Sequence, residues 1–392
     1  MNRIYLDNNA TTVVDPRVKQ AMETYWLQQY GNPNSLHQFG TETHPDMGIA
    51  IDRIYSGIGA SDNDDVIING CATEGNNTVL KGIWTDYILN GDKTRIVTSL
   101  VEHPSIAHTL DWLETQGVEV VRLAPNPDGL ITPEVLAEGF DADKTALVSI
   151  MWANNETGLI NPVRELAEFC RDNGVLFHTD AVQAVGKVPV NLKEVPADFL
   201  TFSAHKFHGP KGVGGLFIRE GQSITPLLHG GEQMGGRRAG TVNVAFMVGM
   251  GLAMELAVDA LDFEDSKIRA LRDRLEDAIA SLPDTLVLGK REHRTPNTIL
   301  ASFKGIEGEA FLWDLDRKGV AASTGSACSS ESLEADATLQ AMVSDADLAH
   351  TAVRFSLSRF TTDDEIDTTI YAVEAVVERL RSISSTYSNK QK

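Results

Sequence analysis

From Val66 onward, short apolar stretches alternate with amphipathic ones: Val66–Ile68, Arg95–Ser99, 118–123, 145–151 and Val175–Thr179 read as buried strands. Helical patterns follow the first four, at 72–84, 105–116, 133–139 and 162–172. In the last, Val163, Leu166, Ala167 and Cys170 share one face, so Cys170 belongs to the core. A strand that rejoins a sheet in the same direction needs a crossover, and a helix is the usual one. The pattern therefore predicts an α/β fold with a mostly parallel sheet covered by helices on both faces. With 392 residues the chain is long enough for two domains.

One later window carries chemistry. In Asp198–Ile218 a strand around Phe199–Phe202 ends in Ser203-Ala-His-Lys206, and a second strand runs from Gly215 to Ile218. Gly209, Gly212, Gly214 and Gly215 let this backbone pass close to something bulky. Lys206 can be a solvated residue at a hairpin tip. It can also be an amine that condenses with a carbonyl, since burial favours the neutral form. Asp180 and Gln183, at the end of the strand Val175–Thr179, bear on that choice. A carboxylate at one strand end and a Lys at a later one suit pyridoxal phosphate (PLP), which needs a lysine for its aldehyde and an acid at its ring nitrogen.

Ten stretches resemble, in order, those of the class V aminotransferases, fold-type I PLP enzymes, and among them the NifS/IscS cysteine desulfurases, closest to the NifS-like branch. They are Tyr5–Thr12, Gly31–Pro33, Cys71–Glu74, Glu102–Pro104, Asn154–Gly158, His178–Gln183, Ser203–Lys206, Arg237–Thr241, Gly325–Cys328 and Arg354–Arg359. The resemblance implies a large PLP-binding domain over 15–261. It implies a smaller α+β domain built from 1–14 with 262–392, carrying the Cys328 loop. It makes Lys206, Cys328 and His103 catalytic, with His103 over the cofactor ring. Ala72, Thr73, Asn155, Asp180, Gln183, Ser203, His205, Lys206 and Thr241 would bind the cofactor; Arg354 and Asn155 would take the substrate carboxylate. Thr73, Ser203 and His205 would contact the phosphate, although Thr73 can also be read as a plain N-cap of its helix. Thr241 would reach the partner subunit's site, which implies a homodimer. Met234-Gly235 departs from the family wording, where Glu-Arg precedes the Gly.

The implied reaction converts L-cysteine to L-alanine, with persulfide on Cys328 and sulfur passed to an iron–sulfur scaffold or another acceptor protein. Cys328 narrows the reading to this reaction; another class V enzyme, such as a selenocysteine lyase or an aminotransferase, is the alternative, and Lys206 together with Cys328 argues against a scaffold that merely kept the fold. Cys71, in a small-residue turn, reads as a packed residue, and His108 as a helix-surface one.

Composition narrows the surroundings. Lys plus Arg number 34 against 55 Asp plus Glu, a formal charge of −21, which disfavours nucleic acid and anionic membrane. No apolar run is long enough to span a bilayer. Three cysteines argue for a reducing compartment, with the cytosol as the default. His205-x-x-His208 has no neighbouring cluster that would make it a metal site, and no phosphate-binding loop of the Gly-x4-Gly-Lys type occurs.

Further elements are expected at Ile4–Leu6, from Asp15-Pro16, at 46–58 and at 243–260. An amphipathic helix follows at 263–282, with strands near 285–288 and 297–303. Then come a helix over Gly308–Arg317, strands Val320–Ala322 and Ala352–Ser358, and a last helix opened by the capping box Thr362–Glu365. The tail after Ser385 reads as disordered.

Overall fold

The computed structural model describes residues 3–324, 348, 351–384 and 387. Cys328 and nearly all of the tail after Ser385 lie outside the described residues. A seven-stranded sheet runs in the order Asp65–Asn69, Gly214–Ile218, Phe199–Ser203, Leu176–Asp180, Thr145–Ser149, Arg95–Ser99, Glu119–Leu123. All neighbours pair in parallel except at Gly214–Ile218, which is antiparallel to both strands beside it. A tight connection from Ser203 to Gly214, too short for a crossover helix, forces that reversal.

Successive residues of the central strands feed opposite cores. Val97, Val148, Leu200 and Phe217 join one cluster with Ala50, Ile54 and Met250. Their neighbours Ile96, Leu147, Phe199 and Leu216 join another with Leu80, Ile106 and Leu110. Both faces are therefore covered, as the uninterrupted apolar strands predict. The helix Val244–Val258 is apolar all round because it packs inside, against His44–Ile58. Among the described residues no single helix is long and apolar enough to cross a membrane.

A third core gathers Ile4 and Leu6 with residues from Ile268 to Leu380. Beside it lies a four-stranded antiparallel sheet, Ser323–Thr324, Ala352–Ser356, Thr298–Phe303, Thr285–Val287. The first strand, Ile4–Tyr5, pairs in parallel with Val320–Ala321.

The cap signals hold where they were read. Asp15 accepts from the N–H of Arg17 at the start of Pro16–Met22, and Thr362 and Glu365 close a capping box on Asp363–Ile383. Two features differ. Short helices at Thr24–Leu27 and Gln38–Thr41 lie where no element is expected from the sequence. The helix expected at 263–282 begins with a π turn over Glu264–Ile268 before Arg269–Ala280. Such a turn inserts one residue and rotates the face that follows, and here it carries Glu264 inside.

Candidate active site

The carboxyl ends of Leu176–Asp180 and Phe199–Ser203 open on a cavity of about 350 Å³. In open α/β sheets this end is where ligands bind. Asp180 and Ser203 line it from the strand ends, with Gln183, His205 and Lys206 from the turns that follow. Ala72 and Thr73, His103, Asn155 and Arg354 close the other sides. Thr241 stands apart, in a separate small pocket with Arg238, Met234 and Gly70.

The helix Ala72–Ile83 starts on the cavity wall, so its unpaired first N–H groups and positive dipole end meet there, an arrangement suited to phosphate. Its N-cap is Cys71, so Thr73 is not the cap residue that the sequence also allows. Gly75 lets this helix lie close on the sheet: a Cβ there would come 2.8 Å from Thr201 Cγ2. Glu74 ties the start down, accepting from Gly70 N at 2.8 Å and from Arg238 Nε at 2.8 Å.

A hydrogen-bonded chain runs from Asp180 to His103. Asp180 accepts from Asn76 Nδ2 at 2.8 Å and from Val182 N at 3.0 Å. Asn76 Nδ2 also donates to Ser105 Oγ at 2.8 Å, and its Oδ1 accepts from the Thr201 hydroxyl. Ser105 Oγ lies 2.8 Å from His103 Nδ1, which also accepts Ser105 N–H at 3.1 Å. A ring nitrogen that accepts an N–H carries no proton, so the neutral imidazole holds its hydrogen on Nε2. Burial lowers the His103 pKa, against the pull of Asp180.

Lys206 is half-buried, and its Nζ donates to the carbonyls of Asn9 at 2.6 Å and Ala10 at 2.9 Å. His205 Nδ1 lies 3.2 Å from Thr11 Oγ1; burial, helped by the adjacent Lys206 charge, takes its pKa down to about 4. Gln183 Nε2 donates to Asn9 O at 2.9 Å, and Gln183 Oε1 accepts from Lys187 Nζ. Lys187 is buried, and burial first, then the Lys206 charge, brings it down to about 7.

Arg354 enters from the small sheet. Its Nη2 pairs with Asp7 Oδ1 at 2.9 Å and its Nη1 with Glu156 Oε1 at 2.8 Å, which fixes the guanidinium at the cavity edge. Asn155 sits beside it, with Nδ2 donating to Glu156 Oε1 at 2.5 Å. Beneath the His103 turn, Glu102 Oε1 accepts from Ser99 Oγ at 2.6 Å and Met151 N at 3.0 Å, while Oε2 is buried with no hydrogen-bond partner among the described residues. Burial raises Glu102 to about 8, with the Asp180 charge a lesser cause.

Sequence reasoning passed over several residues here. Asn9 and Ala10 fall within Tyr5–Thr12 but carried no role, and Asn76, Ser105 and Lys187 gave no local signal, because their partners lie far along the chain. Cys71, read as packed, lines the cavity and is only partly buried; Cys170 is buried as expected, and burial pushes its thiol pKa up. Among the described residues no group of three or more His, Cys, Asp or Glu is placed to hold a metal.

The donor set fits PLP. It offers a carboxylate at a strand end, an amine on the next strand's end, an amide beside them and a helix N-terminus for phosphate, around a cavity that is otherwise walled by small side chains such as Ala10, Ala72 and Ala153.

The model for class-V aminotransferases matches residues 4–369. The chain belongs to that family. Class-V aminotransferases and the cysteine desulfurases among them depend on PLP. The cysteine desulfurase NifS of Azotobacter vinelandii is 43% identical over 389 residues, 99% of this chain and 96% of its own length. The cysteine desulfurase IscS of Dictyoglomus turgidum is 42% identical over 97% of this chain and 96% of its own. A solved NifS-like protein superposes with a TM-score of 0.89 at 36% identity, covering 97% of this chain and 100% of the other. The fold is that of the fold-type I PLP enzymes.

Proposed function

We propose that the protein is a PLP-dependent cysteine desulfurase that converts L-cysteine to L-alanine and carries the released sulfur on Cys328. The observation that carries this reading is the convergence of Asp180, Gln183, Ser203, His205 and Lys206 with the helix start at Ala72 around one cavity. The kinship to desulfurases over 99% of the chain supports it.

Bound here, PLP supplies an electron sink that lets an amino acid lose its α-proton. The chain's own residues do the rest. The Lys206 amine would hold the cofactor's aldehyde carbon and, when free, would move the α-proton. Asp180 keeps a proton on the ring nitrogen. Gln183 donates to the ring oxygen, and Ser203, His205, Thr73 and the Ala72 N–H hold the phosphate. Arg354 and Asn155 bind the substrate carboxylate; the fork of Arg354 is held ready by Asp7 and Glu156. His103, on the cavity wall, would present Nε2–H to the reacting atoms. Cys328 as thiolate attacks the substrate sulfur: the S–S bond forms, the C–S bond breaks, its electron pair stays on carbon, and a proton completes alanine.

The separate core that joins Ile4 and Leu6 to the C-terminal third supports a two-domain division at about Leu261. We read the working form as a homodimer in which Thr241 serves the partner's phosphate; its place off this chain's own cavity supports that. The sulfur acceptor is an iron–sulfur scaffold or another thiol-bearing protein. Three cysteines, one of them the nucleophile, suit the reducing cytosol.

Cysteine turnover with trapping of persulfide tests the reading. Alanine should form in step with a persulfide on Cys328. Cys328→Ser should keep the cofactor and lose alanine release, while Cys71→Ser and Cys170→Ser keep it. Full activity in Cys328→Ser would end the proposal.

A further inference from the structure

We propose that Lys187 is a positioning residue that determines which end of the Gln183 amide faces the cofactor. This rests on the cofactor site proposed above and extends it to a side chain outside the cavity. The oxygen and nitrogen ends of an amide have nearly the same shape, so hydrogen-bond partners decide which way it points. Lys187 is 6% exposed, and its Nζ donates to Gln183 Oε1 and, at 3.0 Å, to Asn9 Oδ1. Charged or neutral, an amine has a hydrogen for each of these two oxygens, so the arrangement survives its titration. Gln183 must then turn its oxygen to Lys187 and its NH2 away. One of those hydrogens goes to Asn9 O at 2.9 Å, and the other remains for the cavity that Gln183 lines.

The same amine fixes Asn9. With Oδ1 taken by Lys187 and by Asn297 Nδ2 at 3.1 Å, Asn9 Nδ2 donates to Thr298 Oγ1 at 2.9 Å and Asn155 O at 3.1 Å. A flipped Gln183 would set its NH2 against the Lys187 hydrogens and its oxygen against the Asn9 carbonyl. Lys187 thereby makes Gln183 an obligate donor to the ring oxygen, which favours the ionised oxygen and lowers the pH at which the bound chromophore titrates.

The test is a pH titration of the near-visible absorbance of the holoenzyme. Lys187→Met should raise the midpoint by about half a unit to one unit, the effect of one hydrogen bond. Gln183→Ala should raise it comparably, and the double variant should show no further shift. Lys187→Gln, which keeps one N–H for Gln183, should fall between, and its midpoint decides the question should Lys187→Met not retain the cofactor. A midpoint unmoved by the Lys187 substitutions while Gln183→Ala moves it, or shifts that add in the double variant, would overturn the inference. A colourless wild-type protein given PLP would instead overturn the proposed function, and the inference with it.

Discussion

Glu102→Gln should make stability less sensitive to rising pH. The Glu102 carboxyl is buried, and its folded pKa is raised from 4.5 to about 8. A carboxyl whose folded pKa exceeds its unfolded one binds its proton more tightly in the native state. Its contribution is complete below pH ~4.5 and is lost as pH rises through about 8. The slope in that window is about 1.4 kcal/mol per pH unit, so Gln, which mimics the protonated acid, should gain on the wild type by about 3 kcal/mol between pH 5 and 7.5. The other buried groups with shifted pKa values near this range, among them Glu264 with a raised pKa and Lys187, His103, His178, His205 and His208 with lowered ones, are common to both proteins and cancel. Urea unfolding of both proteins in the same cofactor state, at half-unit steps of pH, measures the difference. Gln can still accept from Ser99 and Met151, so the wall at Met151 should stand. Parallel stability curves would refute the reasoning, because they would mean that Glu102 is ionised in the folded protein.

Asp180→Asn should keep PLP bound but lose most exchange of the substrate α-proton in deuterium oxide, since the ring nitrogen loses its acid; unchanged exchange would exclude the role. Ser105→Ala should cost about 1–3 kcal/mol by orphaning an Asn76 N–H, and should raise the His103 pKa by removing a donor that favours the neutral ring, which imidazole NMR reads directly. Mixing inactive Lys206→Ala and Thr241→Ala chains should restore roughly a quarter of wild-type activity, since half the dimers formed are hybrids with one intact site of two. No recovery, with exchange of subunits demonstrated, would remove Thr241 from the partner's site.

What could be read beforehand had local causes. The alternation of apolar and amphipathic stretches predicts the parallel sheet, and the caps at Asp15 and Thr362 are written in neighbouring residues. The direction of Gly214–Ile218 is not local; it follows from how short the return from Ser203 is. The π turn at Glu264–Ile268 has no residue pattern of its own, and it coincides with the burial of Glu264. Around the cavity, strand ends and helix starts carried their residues' types openly. The second layer did not, because Asn76 meets Asp180 across 104 residues and Lys187 meets Asn9 across 178.

Asn9 has a consequence for how the molecule is made. Its backbone N–H donates to Ser356 Oγ at 2.9 Å, Asn8 Nδ2 reaches Ser356 O at 2.8 Å, and Leu6 O receives Ser356 N at 2.7 Å. Residues made early are thus held by a strand made 347 or 348 positions later. Until the strand around Ser356 has emerged, the segment that receives Lys206 and Gln183 lacks these three hydrogen bonds. A chain cut before Ser356 keeps every strand of the large sheet but loses the bonds that hold this segment beside Lys206. The order of synthesis therefore sets the completion of this pocket behind that of the large sheet.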